Sequence, residues 1–73
     1  MTELNQPTAE EVARSYAAAM DSVNLLAAGK PEDMTDEDWA DCRQRNIDHL
    51  NIQLAKGDFY QGYDLTPFEQ AVA

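Results

Sequence analysis

Basic side chains are scarce in this chain: five lysines and arginines stand against 14 aspartates and glutamates in 73 residues, a formal net charge of −9. A surface of that sign repels nucleic-acid phosphates and anionic lipid head groups, so neither direct nucleic-acid binding nor a membrane-surface role is expected. Proteins with basic patches are the expected partners. The single cysteine, Cys42, has no second cysteine for an internal disulfide, and a lone thiol suits a reducing compartment. Long apolar runs are missing too. Nothing approaches the roughly 18 residues that a membrane span needs, and Met1 to Pro7 lacks the basic start and apolar stretch of a signal peptide. A soluble, intracellular protein is expected. Gly29, Gly57 and Gly62 are too far apart for a phosphate-binding loop and read as caps or turns.

Length bounds the architecture. A chain this short folds as one small domain and buries only about 60% of the surface its unfolded form exposes. Of its residues 44% are hydrophobic, but many are alanines, which favour helix and add little buried area. The expected core is thin, and chains of this size commonly need a disulfide, a metal or another subunit to complete one.

Helix signals dominate the pattern. Thr8 and Glu11 have capping-box spacing, which starts a first helix near Ala9. Val12, Tyr16, Met20, Val23 and Leu26 then recur at spacings of three and four, flanked by Ala13, Ala19 and Ala27. Gly29 is expected as a left-handed cap before Lys30 and Pro31. Thr35 restarts the chain as a second N-cap, with Met34 and Trp39 placed as a hydrophobic staple and Asp36, Glu37 and Asp38 favourably near the positive end of the helix dipole.

The second helix is expected to run to about Lys56, capped by Gly57, with Trp39, Cys42, Ile47, Leu50 and Leu54 as its apolar stripe and Asn46 between them. Glu10 with Arg14, and Asp41 with Arg45, mark solvent faces as four-residue ion pairs. Ile52 lies on the side opposite Leu50. Thr66, Pro67, Phe68 and Glu69 signal a third, short helix that must dock to persist. The expected fold is all-α: an antiparallel two-helix hairpin (residues 9–28 and 36–56), an aromatic turn (58–65) folded across one side, and a C-terminal helix (67–72). Oligomerisation would complete the bundle.

No catalytic, cofactor or metal site is expected. His49 and Cys42 lie two turns apart on one helix, about 10 Å, too far for a dyad and outside the usual zinc spacings. The acidic run from Asp33 to Asp38 lacks the glycine and the closing glutamate of a calcium loop. Ser15 and Ser22 sit inside the first helix with no histidine near them in sequence. The candidate site residues are therefore of two kinds. Ile52, Phe59, Tyr60, Tyr63, Leu65 and Phe68 form a candidate protein interface, and Asp33, Asp36, Glu37, Asp38 and Asp41 a candidate acidic face.

The segment Leu54 to Val72 closes a helix with Leu54, Ala55 and Lys56, passes through an aromatic, acidic turn and continues as Asp64, Leu65, Thr66 and Pro67. In this it resembles the ends of small acidic proteins of tailed bacteriophages, departing from them at Gly57 and at the paired Phe59 and Tyr60. The resemblance implies a viral, non-enzymatic protein of the host cytoplasm or the virion, and brings no site assignment. Two functions compete. One is an assembly or accessory protein that self-associates or binds a basic host or phage protein through its aromatic tail. The other is a DNA-mimic inhibitor whose carboxylates occupy the basic groove of a host nucleic-acid-binding or defence protein.

Overall fold

The computed structural model describes residues 7–73, so the signal-peptide reading of Met1 to Pro7 falls almost wholly outside the described residues. Three α-helices are present, α1 (Ala9–Ala28), α2 (Asp36–Leu54) and α3 (Thr66–Val72), with a 3-10 turn at Gly57–Tyr60 and no strand among the described residues. At the start of α1 the Thr8 hydroxyl accepts from the Glu11 N–H at 3.1 Å, and the Glu11 carboxylate accepts from the Thr8 N–H at 2.9 Å. That reciprocal pair satisfies two donors the helix cannot use. Bonding from the Thr8 backbone N–H, then from its hydroxyl, holds the Glu11 carboxyl below its ordinary value. Thr35 caps α2 through the hydroxyl half of this arrangement alone, accepting from the Asp38 N–H at 3.1 Å.

The helix ends depart from expectation in instructive ways. Gly29 has the positive φ expected of it, 81°, but with ψ −173° it is extended rather than left-handed helical. This backbone region is essentially closed to other residues. α2 stops at Leu54, short of Lys56, with Ala55 as its cap. Gly57 (φ 61°) is no helix cap but opens the 3-10 turn. α3 begins one residue early, capped by Leu65, which leaves Pro67 at its second position. Its capping side chain is Asp64, whose carboxylate accepts from the Thr66 N–H at 3.0 Å, an Asx turn. Thr66, through its hydroxyl and then its N–H, holds the Asp64 carboxyl below its ordinary 3.8.

α1 and α2 run antiparallel: residues 29–35 join the end of one to the start of the other, and Ser15 in the first half of α1 lies 3.4 Å, Oγ to Oε1, from Gln53 near the end of α2. α3 packs against both. The buried core is Val12, Ala19, Leu50, Tyr60 and Phe68, of which Leu50 and Phe68 are the largest fully enclosed side chains. Removing such a side chain from water is worth about 1.5–3 kcal/mol.

The stripe expected on α1 is half right. Tyr16, Met20, Val23 and Leu26 are only half-buried, while Val12, Ala19 and Ser22 are buried. Two neighbours cause this: the row through Ser15 and Ala19 turns to α2, and the row through Tyr16 turns to the tail. Small side chains in the first row let the two long helices approach.

The Asp64 cap generates a pH prediction. A carboxyl with a depressed folded-state pKa contributes stability at pH values above its ordinary one, and that contribution is lost as pH falls through the folded-state pKa. Asp64→Ala should therefore be less stable than the parent in urea unfolding near neutral pH, and the gap should shrink as the pH falls below the ordinary carboxyl value of 3.8 and through the lower folded-state one. An equal gap across that range would show that Asp64 acts other than as an ionised cap.

Candidate functional site

The C-terminal tail meets the hairpin through an aromatic cluster built on Tyr60. Its ring lies 4.8 Å from Phe59, 5.9 Å from Phe68, 6.0 Å from Tyr16 and 6.3 Å from Tyr63, each edge to face. Edge-to-face pairs gain about 0.5–1.5 kcal/mol beyond their burial, because each ring's positive edge meets a negative face. The Tyr60 hydroxyl donates to Gln53 Oε1 at 2.7 Å and lies 2.6 Å from Ser15 Oγ. With the phenol proton committed to Gln53, Ser15 is the donor to Tyr60. On the outside Tyr16 donates its hydroxyl to the Asp64 carbonyl at 2.8 Å, and its ring lies 4.7 Å from Tyr63 and 5.2 Å from Phe68. Two phenols thus pin the tail, one from within and one from without.

This divides the candidate interface residues. Tyr60 and Phe68, 2% and 0% exposed, belong to the chain's own core and reach a partner only if the tail undocks. Phe59 and Leu65 are half-buried and pack against the same core, and Lys56 Nζ lies 4.5 Å from the centroid of Phe59. Ile52, 59% exposed, and Tyr63, 39% exposed, remain at the surface. Tyr63 lines the outer rim of the aromatic cluster, against Tyr16 and Tyr60, whereas Ile52 is not among the residues packed on that core. An aromatic count cannot distinguish a tail that docks on its own helices from one that docks elsewhere. Gln53, only 4% exposed, was not legible as buried, since glutamine is usually a surface residue. The available signal was the alternation of Ser15, Ala19 and Ser22 at helical spacing.

Asp33, Asp36, Glu37, Asp38 and Asp41 are all exposed. Successive helical residues diverge by about 100°, so Asp36, Glu37 and Asp38 fan around the start of α2, while Glu37 and Asp41, one turn apart, share a side. Asp36 pairs with Lys30 at 2.8 Å and Asp41 with Arg45 at 3.0 Å. Arg14 lies 3.5 Å from Glu10. Both members of the two four-residue pairs are well exposed, and such pairs are worth only a few tenths of a kcal/mol.

Cys42 and His49 are half-buried on α2, and Asn46 Nδ2 donates to the Cys42 carbonyl at 2.8 Å. Among the described residues no group of three or more histidine, cysteine or acidic side chains is arranged to hold a metal ion, and no helix is long and apolar enough to cross a membrane. An open groove lies between the second half of α1 and α3, lined by Val23, Leu26, Ala27, Pro67, Gln70 and Ala71.

Tyr60→Phe keeps the ring and removes only the hydroxyl, leaving Gln53 and Ser15 without their buried partner. The expected loss is about 1–3 kcal/mol in urea unfolding. A loss below about 0.5 kcal/mol would show that the polar chain does not hold the tail. Compared with known proteins, the chain matches no family model, and no curated protein or solved structure matches it.

Proposed function

We propose that this chain is a non-enzymatic interaction protein whose partner presents a basic surface. The observation that carries this reading is that every described aspartate and glutamate is exposed. On a chain of net charge −9, that leaves an uncompensated negative field around the folded core. Such a field accelerates encounters with basic proteins and repels a second copy. Self-association through the aromatic tail loses support because Tyr60 and Phe68 are spent internally. The resemblance of Leu54 to Val72 to phage proteins supports a role in the infected host cytoplasm or the virion.

The DNA-mimic reading keeps one observation in its favour. Glu37, Asp41 and Asp48, at spacings of four and seven, follow one exposed side of α2. The row is interrupted, since Arg45 pairs with Asp41 and Gln44 donates to Asp48 at 2.9 Å. General electrostatic docking on a basic protein is the better-supported reading.

The test is capture of partners by the immobilised chain at low and at half-molar salt, beside a variant carrying Asp36→Asn, Glu37→Gln and Asp38→Asn. A basic partner, released by salt and bound at least tenfold more slowly by the variant, is the expected result. A partner of neutral or acidic character that is retained through high salt would overturn the proposal.

A further inference from the structure

Burial in the hairpin is one-sided. The enclosed side chains are Val12, Ala19 and Ser22 on α1 and Leu50 and Gln53 on α2, all in the half where the tail docks, and in residues 23–49 none is buried. Within that stretch Val23 and Leu26 still reach the core from α1. Met34 and, on α2, Trp39, Cys42 and Ile47 are half-buried and are not among the residues packed on it.

The polar links are one-sided too. Among the described residues the only side-chain hydrogen bond or ion pair joining α1 directly to α2 is that of Ser15 with Gln53, beside the tail. At the far end Lys30 reaches Asp36 at 2.8 Å, which ties the loop to α2 and leaves α1 out. Seven residues on along α1 and seven back along α2, about two turns in each, Ser22 stands level with Asn46. No bond joins the helices there. Asn46 Nδ2 donates at 2.8 Å to the Cys42 carbonyl of its own helix, and Ser22, 8% exposed, has no side-chain hydrogen bond among the described residues.

We infer that residues 23–45, beyond the level of Ser22 and Asn46, form an arm that opens as one unit while the tail-bound half stays folded. Its helical pieces, 23–28 and 36–45, are shorter than the roughly 12–15 residues an isolated helix needs, so they persist only by packing. Across the seam each piece supports the other, and both are lost together. The arm carries Glu32, Asp33, Asp36, Glu37, Asp38 and Asp41. The carboxylates offered above to a basic partner therefore lie on the segment most able to rearrange, and elements that move on binding are drawn from the low-stability end of a fold. The opening itself rests on burial and bonding alone, so its failure would leave the basic-partner reading standing.

The test is amide hydrogen exchange of the full chain, read by NMR near neutral pH over urea concentrations below the unfolding transition. The amides of Ala27, Ala28, Cys42, Arg43 and Arg45 are expected to share one protection factor, at least tenfold below that of Ala19, Leu50 and Gln53. They should also share one urea dependence, shallower than that of the second group but not zero. Tyr60→Phe, which lies outside the arm, should lower protection at Ala19, Leu50 and Gln53 at least fivefold and leave the arm amides within twofold. Equal protection and equal urea dependence in the two groups would show one cooperative unit and overturn the inference. Arm amides that differ residue by residue without urea dependence would overturn it as well, because that is fraying of helix ends. A fall by the same factor in both groups on Tyr60→Phe would count against it equally.

Discussion

Burying a phenol without a hydrogen-bond partner costs on the order of 1–3 kcal/mol, so the position of Tyr60 is favourable only while its hydroxyl meets Gln53 and Ser15. These two come from different helices, Ser15 from α1 and Gln53 from α2. The bond network therefore forms only when the hairpin is closed and the 3-10 turn lies across it. Once Tyr60 is seated, Phe68 is placed against its ring, Tyr16 can reach the Asp64 carbonyl, and α3 is fixed against both long helices. Local helix signals shape each piece, and this junction joins them.

The reason such a junction is needed is compositional. Two amphipathic helices with a small-residue row between them have one seam, and that seam holds Ala19 and Ser22 beside Leu50. Alanine and serine allow close approach but contribute little apolar burial. The tail supplies what the hairpin lacks. Five of the chain's six aromatic side chains, Tyr16 with Phe59, Tyr60, Tyr63 and Phe68, gather where it docks, while Trp39 stands apart on α2. The described acidic groups all stay outside the packing. Their positions reflect helix capping at Thr35 and solvation, leaving the surface charge free to act at a distance.

Much of this was legible from the sequence, because the relevant physics is local. Thr8 with Glu11, Thr35 with its first-turn acids, and the Glu10–Arg14 and Asp41–Arg45 pairs all act within one helical turn, and each is found as read. What escaped depends on contacts between distant residues. Gln53 on α2 and the half-buried Ser15 on α1 come to share a partner only because Tyr60, seven residues past Gln53, folds back against both. The end of α2 shifted because Gly57 opens a 3-10 turn, a choice governed by where Tyr60 must go. The candidate interface divided for the same reason. Apolar character marked Phe68 and Ile52 alike, and only the tertiary fold buries one and exposes the other. The α1–α3 groove, set by the length mismatch of two helices, leaves no sequence motif.

A tail that completes the core also shapes the surface: the α1–α3 groove has α3 as one wall, so a chain with an undocked tail has no such groove. The most direct measurement of that dependence is urea unfolding of Phe68→Ala, followed by far-ultraviolet circular dichroism. The substitution removes the largest fully buried side chain from the junction while leaving every capping residue and charge in place. The expected loss is about 3–5 kcal/mol, most or all of the stability of a domain this small, with helicity of α1 and α2 falling together. A variant that keeps parental helicity and unfolds within about 1 kcal/mol of the parent would contradict the account, because the hairpin would then stand without its tail.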